Sequence, residues 1–159
     1  MRTLTTKTQV FQWSELSEEA KKRAALDLNQ YYFWELESIK SLEAFAAQFG
    51  VTIKNWACEP FSRAEIEVDA TPANFRGFTL AQARSLPEWP TGYYLDEVLR
   101  KTFICEFERT GDAFSAFNDA MHTGITYMRD DWEAQYEDDY MRDHCDSNSY
   151  EFTKEGRLI

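Results

Sequence analysis

Positive charge is scarce in this 159-residue sequence. Seventeen Lys and Arg stand against twenty-eight Asp and Glu, a formal net charge of −11. Nucleic-acid binding draws much of its free energy from Lys and Arg neutralising phosphates, and no basic stripe is on offer. Lys21, Lys22 and Arg23 follow Glu18 and Glu19 on the same predicted helix. Direct binding to nucleic acid or to an anionic membrane is therefore disfavoured, and a basic partner is the natural complement. Long apolar runs are also missing. No stretch approaches the ~20 residues that a membrane span needs, and the first residues hold no signal-peptide core. Cysteine is limited to Cys58, Cys105 and Cys145. An odd number with no closely spaced pair points to reduced thiols in a cytoplasmic compartment and away from a disulfide framework.

Catalytic signatures are equally thin. No Walker loop, dinucleotide glycine motif, Gly-x-Ser-x-Gly or His-Glu-x-x-His occurs. Asp143, His144, Cys145 and Asp146 are all potential ligands, but helical neighbours point in different directions and cannot converge on one ion. The acidic surroundings should raise, not lower, the pKa of a thiol beside His144. The sequence thus predicts no cofactor, no metal site and no catalytic residue. A carboxylate pair drawn from Asp130, Asp131, Asp138 and Asp139 is the one remaining route to an enzyme.

Aromatic residues are plentiful, 16% of the chain with twelve Phe and five Trp. That suits a packed globule of one α+β domain over 1–159, with several helices on one face of a small antiparallel sheet. Residues 3–12 read as a first strand. Ser17 caps a helix whose buried face is Leu16, Ala20, Ala24 and Leu28, with Asn29 as its stop. A second helix runs from Tyr32 through Leu36, Ile39, Leu42, Ala46 and Phe49 to Gly50. The block Tyr31-Tyr32-Phe33-Trp34 reads as core at the helix junction. Strands follow at 51–58 and 64–70, the second alternating Ala64, Ile66, Val68 and Ala70 with Glu65, Glu67 and Asp69. Residues 71–92 hold three of the four prolines, a short helix after Thr79, and Trp89, which either anchors a partner or pins the loop. Tyr94, Leu95, Val98, Leu99 and Thr102 mark a helix ending near Gly111. Asp112 caps the next, with Phe114, Phe117, Ala120, Met121, Ile125 and Met128 inward and a break predicted near Thr123-Gly124. The end, Tyr150–Ile159, reads as a hairpin with Gly156 in its turn.

One stretch concentrates the charge. From 130 to 155 there are ten acidic residues against Arg142 and Lys154, eight of the eleven net negative charges. Trp132, Tyr136 and Tyr140 recur every four residues, continuing Ile125 and Met128, which predicts an aromatic face with Trp132 and Tyr136 buried. Asp130, Glu133 and Glu137 form one helical row; Gln135, Asp138, Asp139 and Asp143 border another. Like charges at this spacing cost a helix about 0.2–0.5 kcal/mol per pair. A solvated helix face is the plain reading. The sharper one is an anionic partner-binding surface made of Asp130, Asp131, Glu133, Glu137, Asp138, Asp139 and Asp143, with Trp89 as a further contact.

Two passages add a resemblance. FQWSELSEEAKKRA, Phe11–Ala24, resembles the opening of a loose family of small acidic proteins of bacteriophages and prophages, and YEFTKEGRL, Tyr150–Leu158, is similar to that family's closing hairpin. About 60 residues at the two ends are covered, and the motifs are structural. The resemblance implies a phage accessory protein acting in the bacterial cytoplasm, commonly an inhibitor of host machinery or defence. The functional expectation is a non-catalytic, protein-binding inhibitor of a host nucleic-acid-processing or defence complex, of the anti-CRISPR or anti-restriction kind. It would act through a nucleic-acid-mimicking acidic surface on a basic protein or nucleoprotein. The alternatives are an antitoxin-like or regulatory partner of a basic protein and an enzyme with an unrecognised carboxylate site.

Overall fold

Ser17 opens helix α1 (Glu18–Leu28) as its residue type predicts, its Oγ accepting the Ala20 amide at 3.3 Å. Glu18 and Glu19 occupy the positive first turn. The computed structural model describes residues 9–28 and 34–159. Most of the predicted first strand, the Asn29 stop and Tyr31, Tyr32 and Phe33 lie outside them. Among the described residues there are six helices and one two-stranded antiparallel sheet, an α+β chain as expected. Contacts divide it into two units, one holding 1–32 with 133–159 and the other 33–132.

The first unit joins the two ends of the chain around a small core. Ala20, Ala24 and Ala25 on α1 meet Trp13, Leu16, Phe152, and Met141 and Cys145 of helix α6 (Asp138–Asn148). Alanines suit this position because their short side chains let α1 approach its neighbours closely. The C-terminal hairpin exists as a single bridge, Phe152 to Leu158, and a second bridge joins Phe152 to Phe11. Its turn presses on α1: a Cβ at Gly156, where φ is +80°, would lie 2.1 Å from the Ala20 carbonyl oxygen. Only glycine fits there.

The second unit is built on phenylalanine. Helix α2 (Glu35–Ala47), helix α4 (Tyr94–Thr110) and helix α5 (Ala113–Ala134) contribute Phe45, Phe103 and Phe117, and Phe49 and Phe75 come from the segments that follow α2 and precede helix α3 (Leu80–Arg84). Ring centroids lie 5.8 Å apart for Phe45–Phe117 and 5.0 Å for Phe49–Phe103. The α2 stripe is Ser38, Ser41, Leu42, Phe45 and Ala46, continued by Phe49 just past the helix. Leu36, predicted inward, is 71% exposed, and Trp34 is exposed as well. The burial follows the large rings, which rotate the helix about one position from the aliphatic count. Gly50 ends the turn after α2 in the left-handed region, φ +66°, as predicted.

Strands β1 (Ile53–Glu59) and β2 (Arg63–Val68) pair antiparallel in this unit. Ile53, Trp56 and Cys58 share a face with Val68, Ile66 and Ala64, and a bulge between Ile53 and Asn55 keeps the first two on one side. Asp69 closes the base, accepting the Thr52 amide and hydroxyl, both at 2.7 Å. The opposite face carries the exposed Glu65 and Glu67, as the alternation implied.

The predicted break at Thr123-Gly124 is absent: α5 runs unbroken over 22 residues. Gly124 serves packing. A Cβ there would sit 2.7 Å from Leu99 Cδ2 and 2.8 Å from Leu42 Cδ2, so the missing side chain is what admits those two leucines. The helix stops instead at Gln135–Glu137, where Tyr136 N–H and Glu137 N–H turn back to the carbonyls of Glu133 and Ala134.

Candidate functional site

That break decides what the acidic stretch is. Had the helix continued, Glu133 and Glu137 would oppose each other at i,i+4 and Asp138 and Asp139 would sit mid-helix. With the chain extended at Glu137 (φ −66°, ψ 143°), the two aspartates become the first turn of α6. There the free N–H groups and the helix dipole stabilise negative charge. The predicted continuous rows of carboxylates therefore do not form.

The eight predicted contact residues fall into separate places. Asp130 and Asp131 lie on α5, and Trp89 lies in the loop before α4, all in the second unit; Glu133, Glu137, Asp138, Asp139 and Asp143 belong to the first. Asp130 is bonded by Arg129, whose guanidinium nitrogens lie 2.6 and 3.0 Å from its Oδ1. Trp132 and Tyr136, predicted buried, are each half-buried. Tyr136 packs on the core around Met141 and Phe152, not on the Phe114–Met121 helix or the 31–49 segment that its place in the aromatic face predicts, and burial pushes its phenol pKa up. Tyr140 turns outward, 43% exposed. The aromatic face is thus broken up by the same three-residue turn.

On α6 the buried pair Met141 and Cys145 fixes the orientation. Asp139, Asp143 and Asp146, at i, i+4 and i+7, lie on the opposite side and are exposed. Over seven residues this row runs about 10 Å along the axis. Arg142 divides itself between two of them, 3.0 Å from Asp139 and 3.5 Å from Asp143. Beside the row stands an aromatic ledge. Tyr140 stacks on His144 (centroids 6.2 Å, planes 9° apart), and His144 meets Tyr150 edge-on at 5.7 Å.

Asp138 has another duty. Its Oδ1 accepts the Trp13 indole N–H at 3.0 Å and lies 2.9 Å from Lys21 Nζ, itself 5.9 Å from the Trp13 ring centre. The ammonium and the indole hold this carboxyl below the usual carboxylate range, and Asp138 in turn raises Lys21. Asp138 is a clasp between α6 and the start of the chain. Sequence reasoning grouped it with the partner-binding acids because nothing local signals a bond spanning 125 residues.

Burial, with some help from Asp146, pushes the Cys145 thiol up to about 11, so it is no nucleophile beside His144. Among the described residues no three His, Cys, Asp or Glu converge as metal ligands, and no helix is long and apolar enough to cross a membrane.

The loop carrying Trp89 is pinned by residues the sequence did not single out. Arg100 donates to the carbonyls of Leu86 (3.1 Å) and Arg84 (2.9 Å), and the buried Asp96 accepts the amides of Thr91 (2.9 Å) and Gly92 (3.0 Å). Thr91 Oγ1 lies 2.9 Å from Ser41 Oγ. Trp89 is left half open to solvent. An acid in the first turn of a helix, shortly after Thr-Gly, was the available signal.

No family model, no curated protein and no solved structure matches the chain.

Proposed function

We propose that this chain is a non-catalytic binding protein whose partner is basic, and that the outward side of α6 is the contact. The observation that carries this reading is the exposed row Asp139, Asp143 and Asp146 with Tyr140 and His144 alongside. Tyrosine in a charged setting is the kind of residue that anchors interfaces, and three aligned carboxylates attract Lys and Arg over a Debye length. The role suggested by the phage-protein resemblance is inhibition of a host nucleic-acid-processing or defence complex, with this row occupying part of a nucleic-acid path. Asp138, committed to Trp13 and Lys21, stays out of the contact.

The test is recovery of a partner from bacterial lysate by the tagged full-length chain, compared with Asp139→Asn/Asp143→Asn/Asp146→Asn. The reading expects one basic, nucleic-acid-binding protein in stoichiometric amount, displaced by added salt and by nucleic acid and missing from the triple variant. Equal recovery by the triple variant overturns it.

A further inference from the structure

The β1–β2 hairpin has two outer edges, and among the described residues neither pairs with another strand. Among the described residues, no backbone hydrogen bond from outside the pair reaches residues 53–57 or 63–68. A lone pair of strands is marginal in water, and an open edge is a template for a further strand.

The two edges are not equivalent. β1 is interrupted by its bulge and carries Lys54, two devices that discourage strand addition. β2 has no bulge, proline, glycine or lysine. Its exposure alternates regularly, with Glu65 and Glu67 in solvent and Ala64, Ile66 and Val68 half-buried. Arg63 is engaged by Glu59 at 3.2 Å, whereas Glu65 and Glu67 have no ion-pair partner among the described residues.

A second copy of the chain fits this edge badly. The two near-complete antiparallel registers that keep like faces together set Glu65 opposite Glu65, with Glu67 facing an Arg63 already held by Glu59, or Glu65 opposite Glu67; like charges directly opposed destabilise a ladder. The complement is a strand alternating Lys or Arg with apolar residues.

We propose that the outer edge of β2 is a docking site for an extended segment of a basic protein, which joins the hairpin as a third strand with cationic side chains across from Glu65 and Glu67. This surface lies on residues other than those of α6 and does not depend on the reading given for them.

The test is fluorescence anisotropy of a short labelled peptide alternating lysine and valine, titrated with the full-length chain. Two control peptides are used: one N-methylated on alternate amides, one with glutamate for lysine. The lysine peptide should bind saturably. N-methylation along its bonding edge should weaken it at least tenfold, because the added strand needs those N–H groups. Glu65→Lys/Glu67→Lys should weaken it at least tenfold and favour the glutamate peptide, with Glu65→Gln/Glu67→Gln read instead if circular dichroism shows the first variant misfolded. The α6 triple variant should bind the peptide as the parent does. Absence of saturable binding, equal binding of the N-methylated peptide, or indifference to the Glu65 and Glu67 changes overturns the proposal.

Discussion

Lys21 Nζ lies 2.9 Å from Asp138 Oδ1, and the same oxygen accepts the Trp13 indole N–H. Because the carboxyl is lowered from 3.8, its contribution to stability is present above the ordinary carboxylate range and is lost as pH falls through its own lower value. Lys21 is raised from 10.5, so its share is full below that value and is lost as pH rises through the raised one. The clasp should hold a plateau between the two. Asp138→Asn keeps an acceptor for Trp13 and loses the charge. Unfolding free energies from urea titrations across pH should fall by less than about 1 kcal/mol on the plateau and show a weaker acid-side slope.

Gly124→Ala separates helix propensity from packing. Alanine is better in a helix by about 1 kcal/mol. Here its Cβ would strike Leu99 and Leu42, both fully buried, and overpacking of this kind costs about 1–3 kcal/mol. We expect a net loss in urea midpoint. Leu99→Ala alone should cost about 2–5 kcal/mol, and less in the Gly124→Ala background, where the shortened side chain makes room. Strict additivity of the two changes would refute the contact.

Gly156→Ala and Gly50→Ala share a left-handed backbone but not a neighbourhood. At Gly50 nothing lies within 4 Å of an added Cβ, so the cost is the conformational one, about 1–2 kcal/mol. At Gly156 the Ala20 carbonyl must also move. Thermal melts should show the larger loss at Gly156 and equal losses only if the hairpin turn stands off α1.

Thiol titration reports burial directly. Cys105 is exposed, while Cys58 and Cys145 are buried. One thiol should react quickly with a disulfide reagent at neutral pH and all three in denaturant. A second fast thiol that disappears in Cys145→Ser would show that the core around Met141 opens readily.

The helix starts were legible because single residues signal them. Ser17, Thr79 and Asp112 each accept an amide in the turn that follows, and Gly50 and Gly111 adopt the left-handed geometry at helix ends. The break between α5 and α6 was not legible. Gln135-Tyr136-Glu137 contains no glycine or proline, and the four-residue recurrence of Trp132, Tyr136 and Tyr140 mimics an unbroken face. Gly124 misled in the other direction, since an interior glycine reads as a breaker when its reason is a close approach by Leu42 and Leu99. Of the candidate site, the acids of α6 were visible as charge. The separate role of Asp138 was not, because it depends on a tryptophan and a lysine from the far end of the chain.

The order of synthesis now bears on the molecule. Trp13 and Asp138 are separated by 125 residues, so a ribosome adding ~5–20 residues per second delivers the first roughly 6–25 s before the second. Through that interval Ala20, Ala24 and Leu16 have no Met141, Cys145 or Phe152 to cover them, and by its end every residue of 33–132 has been made. The nascent chain therefore carries helix α1 with its apolar side uncovered until α6 is made. A message truncated after Trp132 would yield the phenylalanine core and the β2 edge without the acidic row of α6, two surfaces parted by a single stop codon.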